Sequence, residues 1–140
     1  MKVALDTNVL QALLQANHPH QESAIKLIKQ LQPNKNFLLC PVVYSEAQGI
    51  PNFSTEIFNA FLEDLNVEID WALPQNMWQL AGQAHLAYHQ RRRKQGLTEP
   101  KLVLADFLIG AHALVRNVAL LTFDSKGYRV AFPNLELLEN

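Results

Sequence analysis

Apolar residues recur along the chain in short blocks of two kinds, which predict strands that alternate with helices. Blocks of the first kind are continuous and rich in strand-forming residues, as in KVALD at residues 2–6 and VALLTFD at residues 118–124. Blocks of the second kind have helical spacing, as in HQESAIKLIKQLQ at residues 20–32. The alternation predicts one α/β domain over residues 1–140, with a mostly parallel central sheet and right-handed crossovers.

Other segments continue the same order of elements. The predicted strands are FLLCPVV (37–43), which breaks at Pro41, VEID (67–70), and an edge strand in NLELLEN (134–140). The predicted helices before residue 70 are TNVLQALLQA (7–16), one beginning in YSEAQGI (44–50) with Glu46 in its first turn, and one capped by Ser54. Two more helices follow, one from about Pro74 to Lys94 that Gly96 ends, and an apolar one opened by Pro100.

The composition says more about the compartment than about a partner. A net charge of -1 and a pI of about 6.5 do not by themselves point to a nucleic-acid or membrane-surface partner, so any basic site must be a local patch. The single cysteine, Cys40, excludes an internal disulfide, and no apolar stretch reaches the roughly 20 residues that span a bilayer. We therefore expect a cytoplasmic protein without a membrane segment.

Four acidic residues follow apolar strands or lie near the starts of predicted helices. Asp6 ends KVALD, Glu46 follows CPVVYS, Asp106 lies in the first turns of its apolar helix, and Asp124 ends ALLTFD. Ligands of open α/β sheets bind outside the carboxyl ends of the strands, so a parallel topology would bring these residues to one edge. An aspartate in an apolar helix also needs a partner. The four carboxylates are therefore predicted to form one site.

Converging carboxylates repel one another, and a divalent cation would compensate for that repulsion. Helix N-termini beside Asp6, Glu46 and Asp106 would each contribute only about 0.3–1 kcal/mol, which is too little to replace an ion. An all-oxygen ligand set favours Mg²⁺ or Mn²⁺ over zinc. Such a metal activates water for phosphodiester hydrolysis, which is the predicted chemistry.

Individual carboxylates also have simpler interpretations. Asp6 would merely cap the next helix, and Asp124 in FDSKG would make a turn. Asp106 fits such an interpretation least well, because an apolar helix offers little solvated surface.

Four segments, taken in order, resemble the PIN-domain ribonucleases, and most closely the VapC-like toxins of type II toxin-antitoxin pairs: ALDTNVL, VVYSE, LADFLIGAHAL and LLTFDSKGY. The resemblance covers essentially the whole chain, and ADFLIGAHAL and the opening DTN are its specific parts. It implies a three-layer α/β/α sandwich with a Mg²⁺- or Mn²⁺-dependent endoribonuclease site that acts on RNA. It also implies a cognate antitoxin as partner and a homodimer.

The resemblance also implies a role for each carboxylate. Asp6 and Asp106 would be the principal metal ligands, and Asp124 would act directly or through water. Glu46 would complete the site or help to position the attacking water.

Three further positions bear on the resemblance. Asn8 falls where a polar residue would support Asp6, and Thr122 falls where the family often has Ser or Thr. Phe123 departs from the pattern, because the family often has Arg before the last Asp. A basic contact near the site is therefore in doubt, whereas the four carboxylates are unaffected.

The densest basic segment is RRRK, formed by Arg91, Arg92, Arg93 and Lys94. We interpret it as a contact for RNA phosphates, because charge neutralisation supplies affinity that does not depend on sequence. The alternative is a solvated helix end, where cations interact favourably with the helix dipole.

Three histidines and two tryptophans have plainer interpretations. His85 and His89 are one helical turn apart, a spacing used in zinc sites, but no third ligand accompanies them, so we interpret them as a helix-face pair. His112 is interpreted as a packing residue, and Trp71 and Trp78 as core residues.

Two other classes of function remain open. A catalytically silent PIN-fold module would bind RNA or protein, although it would gain nothing from carboxylates that repel phosphate. A phosphate-accepting signalling domain also collects carboxylates at strand ends, but it needs an acceptor aspartate on a middle strand, and FLLCPVV has none. Metal-dependent RNA cleavage would distinguish a nuclease from both.

Overall fold

The computed structural model describes residues 1–95 and 100–139, which form five strands and seven helices. The strands are β1 (Lys2–Leu5), β2 (Asn36–Leu39), β3 (Val67–Ile69), β4 (Ala119–Leu121) and β5 (Leu137–Leu138). The helices are α1 (Thr7–Leu14), α2 (Gln21–Leu31), α3 (Pro41–Ala47), α4 (Thr55–Asp64), α5 (Gln75–Gln95), α6 (Leu104–Val115) and α7 (Ser125–Ala131). Gly96, predicted to end the long helix, and Asn140, the last residue of the predicted edge strand, lie outside the described residues.

The strands form one sheet in the order β3-β2-β1-β4-β5, and every described pair is parallel. The chain first moves from β1 through β2 to β3, and then returns across the sheet to add β4 on the other side of β1. With right-handed crossovers, this reversal puts the later helices on the opposite face from the earlier ones. Accordingly, α1 packs on α2 and α3, while α5, α6 and α7 pack on one another. The fold is the predicted three-layer α/β/α sandwich.

The order of strands creates a switch point between β1 and β4. Their register pairs Leu5 with Leu121, and the backbone N–H of Asp6 donates to the Leu121 carbonyl. Ligands of doubly wound sheets bind in the crevice outside such a switch point. Asp6 therefore stands at the position where this topology places a site.

The middle strands are buried on both faces, which explains their continuous apolar sequences.

Two asparagines help to turn the chain from helix to strand. Asn66 follows α4 and Asn117 follows α6, with φ angles of 53° and 56°. Asparagine adopts this left-handed conformation more readily than other non-glycine residues do.

The strand predicted in FLLCPVV does break before Pro41, but the residues after the break are helical, so the helix predicted to begin at Tyr44 begins three residues earlier. The β2 strand ends at Leu39, and Pro41 begins α3. Proline suits the first helical turn, because an N–H group there would have no partner within the helix and because the fixed φ of proline is already near the helical value. Glu46 consequently lies in the last turn of α3, not in the first turn of a helix beginning at Tyr44.

The boundaries around Asp106 and Asp124 also differ from the predicted ones. The apolar helix α6 begins at Leu104, four residues after Pro100. The β4 strand ends at Leu121, so Asp124 lies beyond it and directly before α7, a helix that the sequence analysis did not predict.

Other predictions agree with the structure. Ser54 caps α4 by accepting a hydrogen bond from the Ile57 N–H at 3.3 Å, and β5 forms the edge of the sheet beside β4. His112 is buried and donates to Asp70 at 3.0 Å, as suits a packing residue.

The core assignment of the tryptophans was wrong. Trp71 and Trp78 are 65% and 51% exposed. Trp71 packs its ring against that of Tyr44, with centroids 5.2 Å apart, and leaves its other surface open.

None of the described helices is both long and apolar enough to cross a membrane.

Candidate active site

Asp6 is a buried carboxylate at the end of β1. Its side chain caps α1, because Oδ1 accepts a hydrogen bond from the Thr7 N–H at 2.7 Å. Its Oδ2 accepts a hydrogen bond from the Thr122 hydroxyl at 2.8 Å. Only 5% of the residue is exposed, although a cap on a helix end ordinarily reaches solvent. Helix capping alone therefore does not explain why this aspartate is buried.

Thr122 connects Asp6 to the segment that follows β4. While its Oγ1 donates to Asp6, the same oxygen accepts hydrogen bonds from the Asp124 N–H at 3.1 Å and from Asn8 Nδ2 at 3.4 Å. The other polar atom of the Asn8 amide, Oδ1, accepts from the Phe123 N–H at 3.2 Å. Asn8 and Thr122 together hold the turn that leads to Asp124.

Burial raises the pKa of Asp6 from 3.8 to about 6. Hydrogen bonds from Thr122 and Thr7, together with the nearby hydroxyl of Tyr128, oppose this shift, and the negative charge of Asp106 adds to it. The environment of this carboxylate thus disfavours its ionised form, even though Thr7 and Thr122 donate hydrogen bonds to it. A cation beside it would reverse that preference.

Asp106 lies in the first turn of α6, and its Oδ2 accepts a hydrogen bond from the Val103 N–H at 2.9 Å. Burial raises the pKa of Asp106, the Val103 hydrogen bond opposes the rise, and the charges of Glu46 and Asp124 increase it further. These interactions bring all four predicted carboxylates into one electrostatic cluster, because Asp106 also acts on Asp6. We refer to Asp6, Glu46, Asp106 and Asp124 as the acidic cluster.

Glu46 reaches the acidic cluster from the last turn of α3. Its Oε1 accepts a hydrogen bond from the Thr7 hydroxyl at 2.5 Å, which ties it to the residue after Asp6. Its side chain is exposed. The expected support from a helix N-terminus is absent for Glu46 within the described chain, because α3 starts five residues earlier, at Pro41.

Asp124 is the exposed member of the acidic cluster on the side of β4. It occupies the position before α7, but its side chain makes no capping hydrogen bond within the described residues. Only its backbone N–H is fixed, by Thr122. The simpler interpretation of Asp124 as a turn residue therefore does not account for its carboxylate, which is exposed and whose charge raises the pKa of Asp106.

Tyr128 was missed by the sequence analysis. It lies on α7 and is buried, and its hydroxyl has no partner of standard hydrogen-bond geometry in the described part of the chain. The hydroxyl is nevertheless close enough to lower the pKa of Asp6. Burial raises the pKa of Tyr128, and the charges of Asp6 and Asp106 raise it further, so the phenol is neutral. No local signal could have found it, because α7 itself was not predicted.

The donor chemistry of the acidic cluster fits a hard divalent cation. Its side chains offer only oxygen atoms, and burial, with a smaller contribution from neighbouring carboxylates, raises the pKa values of Asp6 and Asp106. No three His, Cys, Asp or Glu residues among those described form a ready-made metal cage. Mg²⁺ does not require one, because it usually keeps several waters and binds through one or two carboxylates.

The basic segment 91–94 lies at the end of α5, on the helix pair that carries Asp106. The ring of Tyr88 packs against Phe107 with centroids 5.3 Å apart, and its hydroxyl accepts from the Leu102 N–H at 2.9 Å. Arg92 lies over the Tyr88 ring, with its guanidinium carbon 5.4 Å from the centroid. Arg93 and Lys94 are exposed, whereas Arg91 and Arg92 are partly buried.

Phe123 is partly buried and joins the core at the edge of the site. Its ring lies beside that of His20, with centroids 6.3 Å apart. The side chain at this position, where the family often has an arginine, thus makes an aromatic contact. Hydrogen bonds from the backbone of Phe123 to Asn8 and of Asp124 to Thr122 hold the turn in the absence of that arginine.

Comparison with known proteins identifies related sequences and folds. The PIN domain family model matches residues 3–133. A structure of VapBC2 from Rickettsia felis, bound to a DNA fragment from their promoter, aligns with a TM-score of 0.71 and 20% identity over 100% of this chain and 99% of that chain. VapBC-1 from nontypeable Haemophilus influenzae aligns with a TM-score of 0.68 and 22% identity, over 99% and 98% of the two chains. A toxin-antitoxin complex from Klebsiella pneumoniae gives 0.63 and 18%, over 97% and 95%. A comparison with curated proteins gave no significant match.

Proposed function

Because this chain belongs to the PIN domain family, we propose that it is a metal-dependent endoribonuclease and the toxin of a type II toxin-antitoxin pair. The observation that carries the proposal is the Asp6 carboxylate, which is buried at the switch point beside Asp106 and has a pKa raised to about 6. Burying this carboxylate disfavours its ionised form and so costs stability in the absence of a cation, whereas a bound divalent cation would offset that cost.

The cation would be Mg²⁺ or Mn²⁺, held by Asp6 and Asp106, with Asp124 and Glu46 acting directly or through water. The donor set supports this assignment because it contains only hard oxygen ligands. When bound, the ion would polarise the phosphodiester and lower the pKa of a coordinated water. It would also remove the repulsion that raises the pKa of Asp106.

The chain's own residues would orient the reactants around that ion. Thr122 would keep Oδ2 of Asp6 in place, and Asn8 would hold the turn that presents Asp124. Glu46 is oriented by Thr7 through Oε1, which leaves Oε2 as the atom that would take a proton from the attacking water. Glu46 would thereby act as the general base.

The RNA backbone would be held by the end of α5. Arg93 and Lys94 are exposed, so we assign them the direct contacts with phosphate. Arg91 and Arg92 would contribute charge from partly buried positions, and Arg92 would also brace the segment through Tyr88. The placement of α5 against α6 supports this assignment, because it sets the basic segment on the side of the molecule that carries Asp106.

The proposed partners are a cognate antitoxin and a second copy of this chain. The solved structures with the same fold include VapBC and toxin-antitoxin complexes, which supports an antitoxin as the restraining partner here. A homodimer is proposed from the family resemblance. The cytoplasm is the proposed compartment, in keeping with the free and buried thiol of Cys40.

A cleavage assay tests the proposal. Purified protein is incubated with a panel of labelled structured RNAs, with Mg²⁺, with Mn²⁺ and with a chelator. We expect metal-dependent cleavage that falls more than about 100-fold in Asp6→Asn and Asp106→Asn, since loss of a ligand costs more than loss of a group that only supports one. Asp64→Asn removes an exposed carboxylate on α4 and should cleave like the wild type.

The same assay identifies the alternative function. If the folded wild type cuts no RNA in either metal while Asp6→Asn binds RNA at least as tightly, the chain is a catalytically silent PIN-fold binding module.

A further inference from the structure

The pair formed by His85 and His89 on α5 has no part in the proposed nuclease site. Their Nε2 atoms lie 3.0 Å apart, and their ring centroids are 4.6 Å apart with an angle of 72° between the planes. His89 is exposed and His85 is partly buried. The two Nε2 atoms are therefore adjacent, and the pair is reached by solvent from the side of His89.

The separation of these nitrogens is the one expected for neighbouring ligands of a single ion. Two imidazole nitrogens bound at about 2.0–2.1 Å from zinc, at square or tetrahedral angles, lie about 2.9–3.4 Å apart. A separation of 3.0 Å falls within that interval. We propose that His85 and His89 bind one divalent transition-metal ion, of the Zn²⁺ or Ni²⁺ class, through their two Nε2 atoms.

Neighbouring rings hold the pair in this arrangement before an ion arrives. His85 packs against Phe107 of α6 with centroids 5.1 Å apart, and His89 packs against Tyr88 at 5.3 Å. Side chains that are already ordered lose less conformational entropy on binding than mobile ones do. Without metal, a hydrogen bond between neutral imidazoles accounts for the contact.

The number and kind of ligands define the ion. No third His, Cys, Asp or Glu joins the pair among the residues described, so water would complete the coordination sphere and the ion would be exchangeable. Imidazole nitrogen suits Zn²⁺ and Ni²⁺, whereas Mg²⁺ requires oxygen ligands. The positive charge of Arg92 over the adjacent Tyr88 ring disfavours cations that are held by charge alone. The site is thus chemically distinct from the acidic cluster.

Calorimetric titration tests the proposal independently of nuclease activity. The full chain carrying Asp106→Asn, which weakens the acidic cluster, is titrated separately with ZnCl₂, NiCl₂ and MgCl₂. We expect one Zn²⁺ or Ni²⁺ per chain at this site and no Mg²⁺. Adding His89→Gln or His85→Gln should weaken the binding of Zn²⁺ and Ni²⁺ by about tenfold or more, because each removes one of two protein ligands.

A matched control separates this site from general binding to histidine. The chain has five histidines, and His20→Gln removes an exposed one outside α5, so it should leave the zinc affinity unchanged. In NMR spectra of the histidine ring nitrogens, Zn²⁺ should shift the resonances of His85 and His89 selectively. An unchanged affinity in the folded His89→Gln protein, an equal loss in His20→Gln, or equal shifts for all five rings would overturn the proposal.

Discussion

The aspartates of the acidic cluster differ most in how far they are removed from water. Asp6 is buried at the end of a central strand, Asp106 is partly buried at a helix start, and Asp124 is exposed. Because burial disfavours the charged form, it is the first cause of the raised pKa at both Asp6 and Asp106. The least solvated carboxylates are thus the ones that gain most from a bound cation.

Replacing Asp6 should stabilise the metal-free protein. A pKa of about 6 in the folded state, against an ordinary value of 3.8, means that ionised Asp6 destabilises the fold by roughly 3 kcal/mol above pH 6. That destabilisation diminishes as the pH falls through 6 towards 4, because the carboxyl becomes protonated in the folded state, and it vanishes below about pH 3.8, where the carboxyl is protonated in the unfolded state as well. We therefore expect Asp6→Asn to raise the free energy of unfolding by about 2 kcal/mol near pH 7.5, and by little near pH 4.

Denaturant titrations in a chelating buffer, repeated across this pH range, measure the effect of Asp6→Asn. The exposed carboxylate of Asp64 provides the control, since Asp64→Asn should change stability by less than about 0.5 kcal/mol. Mg²⁺ should stabilise the wild type and leave Asp6→Asn unaffected. A metal-free Asp6→Asn protein less stable than the wild type near pH 7.5 would contradict the expectation.

Thr122 should affect catalysis through the position of Asp6. Thr122→Val keeps the shape of the side chain but removes the hydroxyl that donates to Asp6, whereas Thr122→Ser keeps the hydroxyl. We expect Thr122→Val to lower cleavage about 10–100-fold and to raise the Mg²⁺ concentration needed for half-maximal activity. Thr122→Ser should stay close to the wild type. If both variants lose activity equally, the hydroxyl is not the feature that matters.

At the scale of elements, small residues decide where helices begin and how closely they pack. Pro41, which was predicted only to break the strand in FLLCPVV, also starts α3. Apolar periodicity cannot separate a short buried strand from the first turn of a buried helix. Glu46 was therefore predicted in the first turn of its helix, whereas it lies in the last turn of α3. Its place in the acidic cluster was nevertheless predicted.

Two glycines in helices should respond to alanine in opposite ways. A methyl group on Gly110 of α6 would overlap the buried ring of Phe132, whereas one on Gly82 of α5 would meet nothing within 4 Å. Gly82→Ala should raise the free energy of unfolding by about 0.5–1 kcal/mol through helix propensity. Gly110→Ala should lower it by about 1–2 kcal/mol, because overpacking outweighs the same gain.

Thermal and denaturant unfolding of the two alanine variants measures both changes, and each variant serves as the control for the other. An increase in stability for Gly110→Ala would mean that Phe132 moves aside easily.

At the scale of the whole molecule, a polar network joins β3 to the end of α6. Asp70 follows β3 and accepts hydrogen bonds from Arg116 Nε at 2.5 Å and from His112 Nε2 at 3.0 Å. Arg116 also donates to the Ala72 carbonyl at 2.6 Å. The network thereby holds the start of the connection from β3 to α5 against the end of α6.

Breaking this network should be costly. Burial raises the pKa of Asp70, but the hydrogen bonds and charges of Arg116 and His112 outweigh it, so the pKa is lowered. A lowered carboxyl pKa stabilises the fold above about pH 4, and this stabilisation is lost as the pH falls through the folded pKa. Asp70→Asn should therefore reduce the free energy of unfolding by about 2–3 kcal/mol at neutral pH.

Urea titrations at neutral pH and below pH 4 measure the loss in Asp70→Asn, which should shrink in acid. The exposed pair of Lys2 and Glu68 supplies the control, because Glu68→Gln at the surface should cost less than about 1 kcal/mol. Equal losses in Asp70→Asn and Glu68→Gln would show that the network adds no more than a surface ion pair.

The sequence by itself determined the order of the strands and of every helix except α7, the mostly parallel α/β class and the prediction that four carboxylates converge. These features follow from local periodicity and from one rule of topology, since the carboxyl ends of parallel strands share an edge. Asp6, Glu46, Asp106 and Asp124 could be chosen because each stands next to an apolar block that the sequence displays.

Only the tertiary structure decided how these carboxylates are set. The donor that fixes Asp6 comes from Thr122, 116 positions along the chain, and the buried hydroxyl beside it comes from Tyr128 on a helix with no clear sequence signal. The 3.0 Å separation of the His85 and His89 Nε2 atoms likewise depends on how their side chains meet beside Phe107. Burial, pKa and side-chain separation are properties of neighbours that meet only after folding, so no local pattern can encode them.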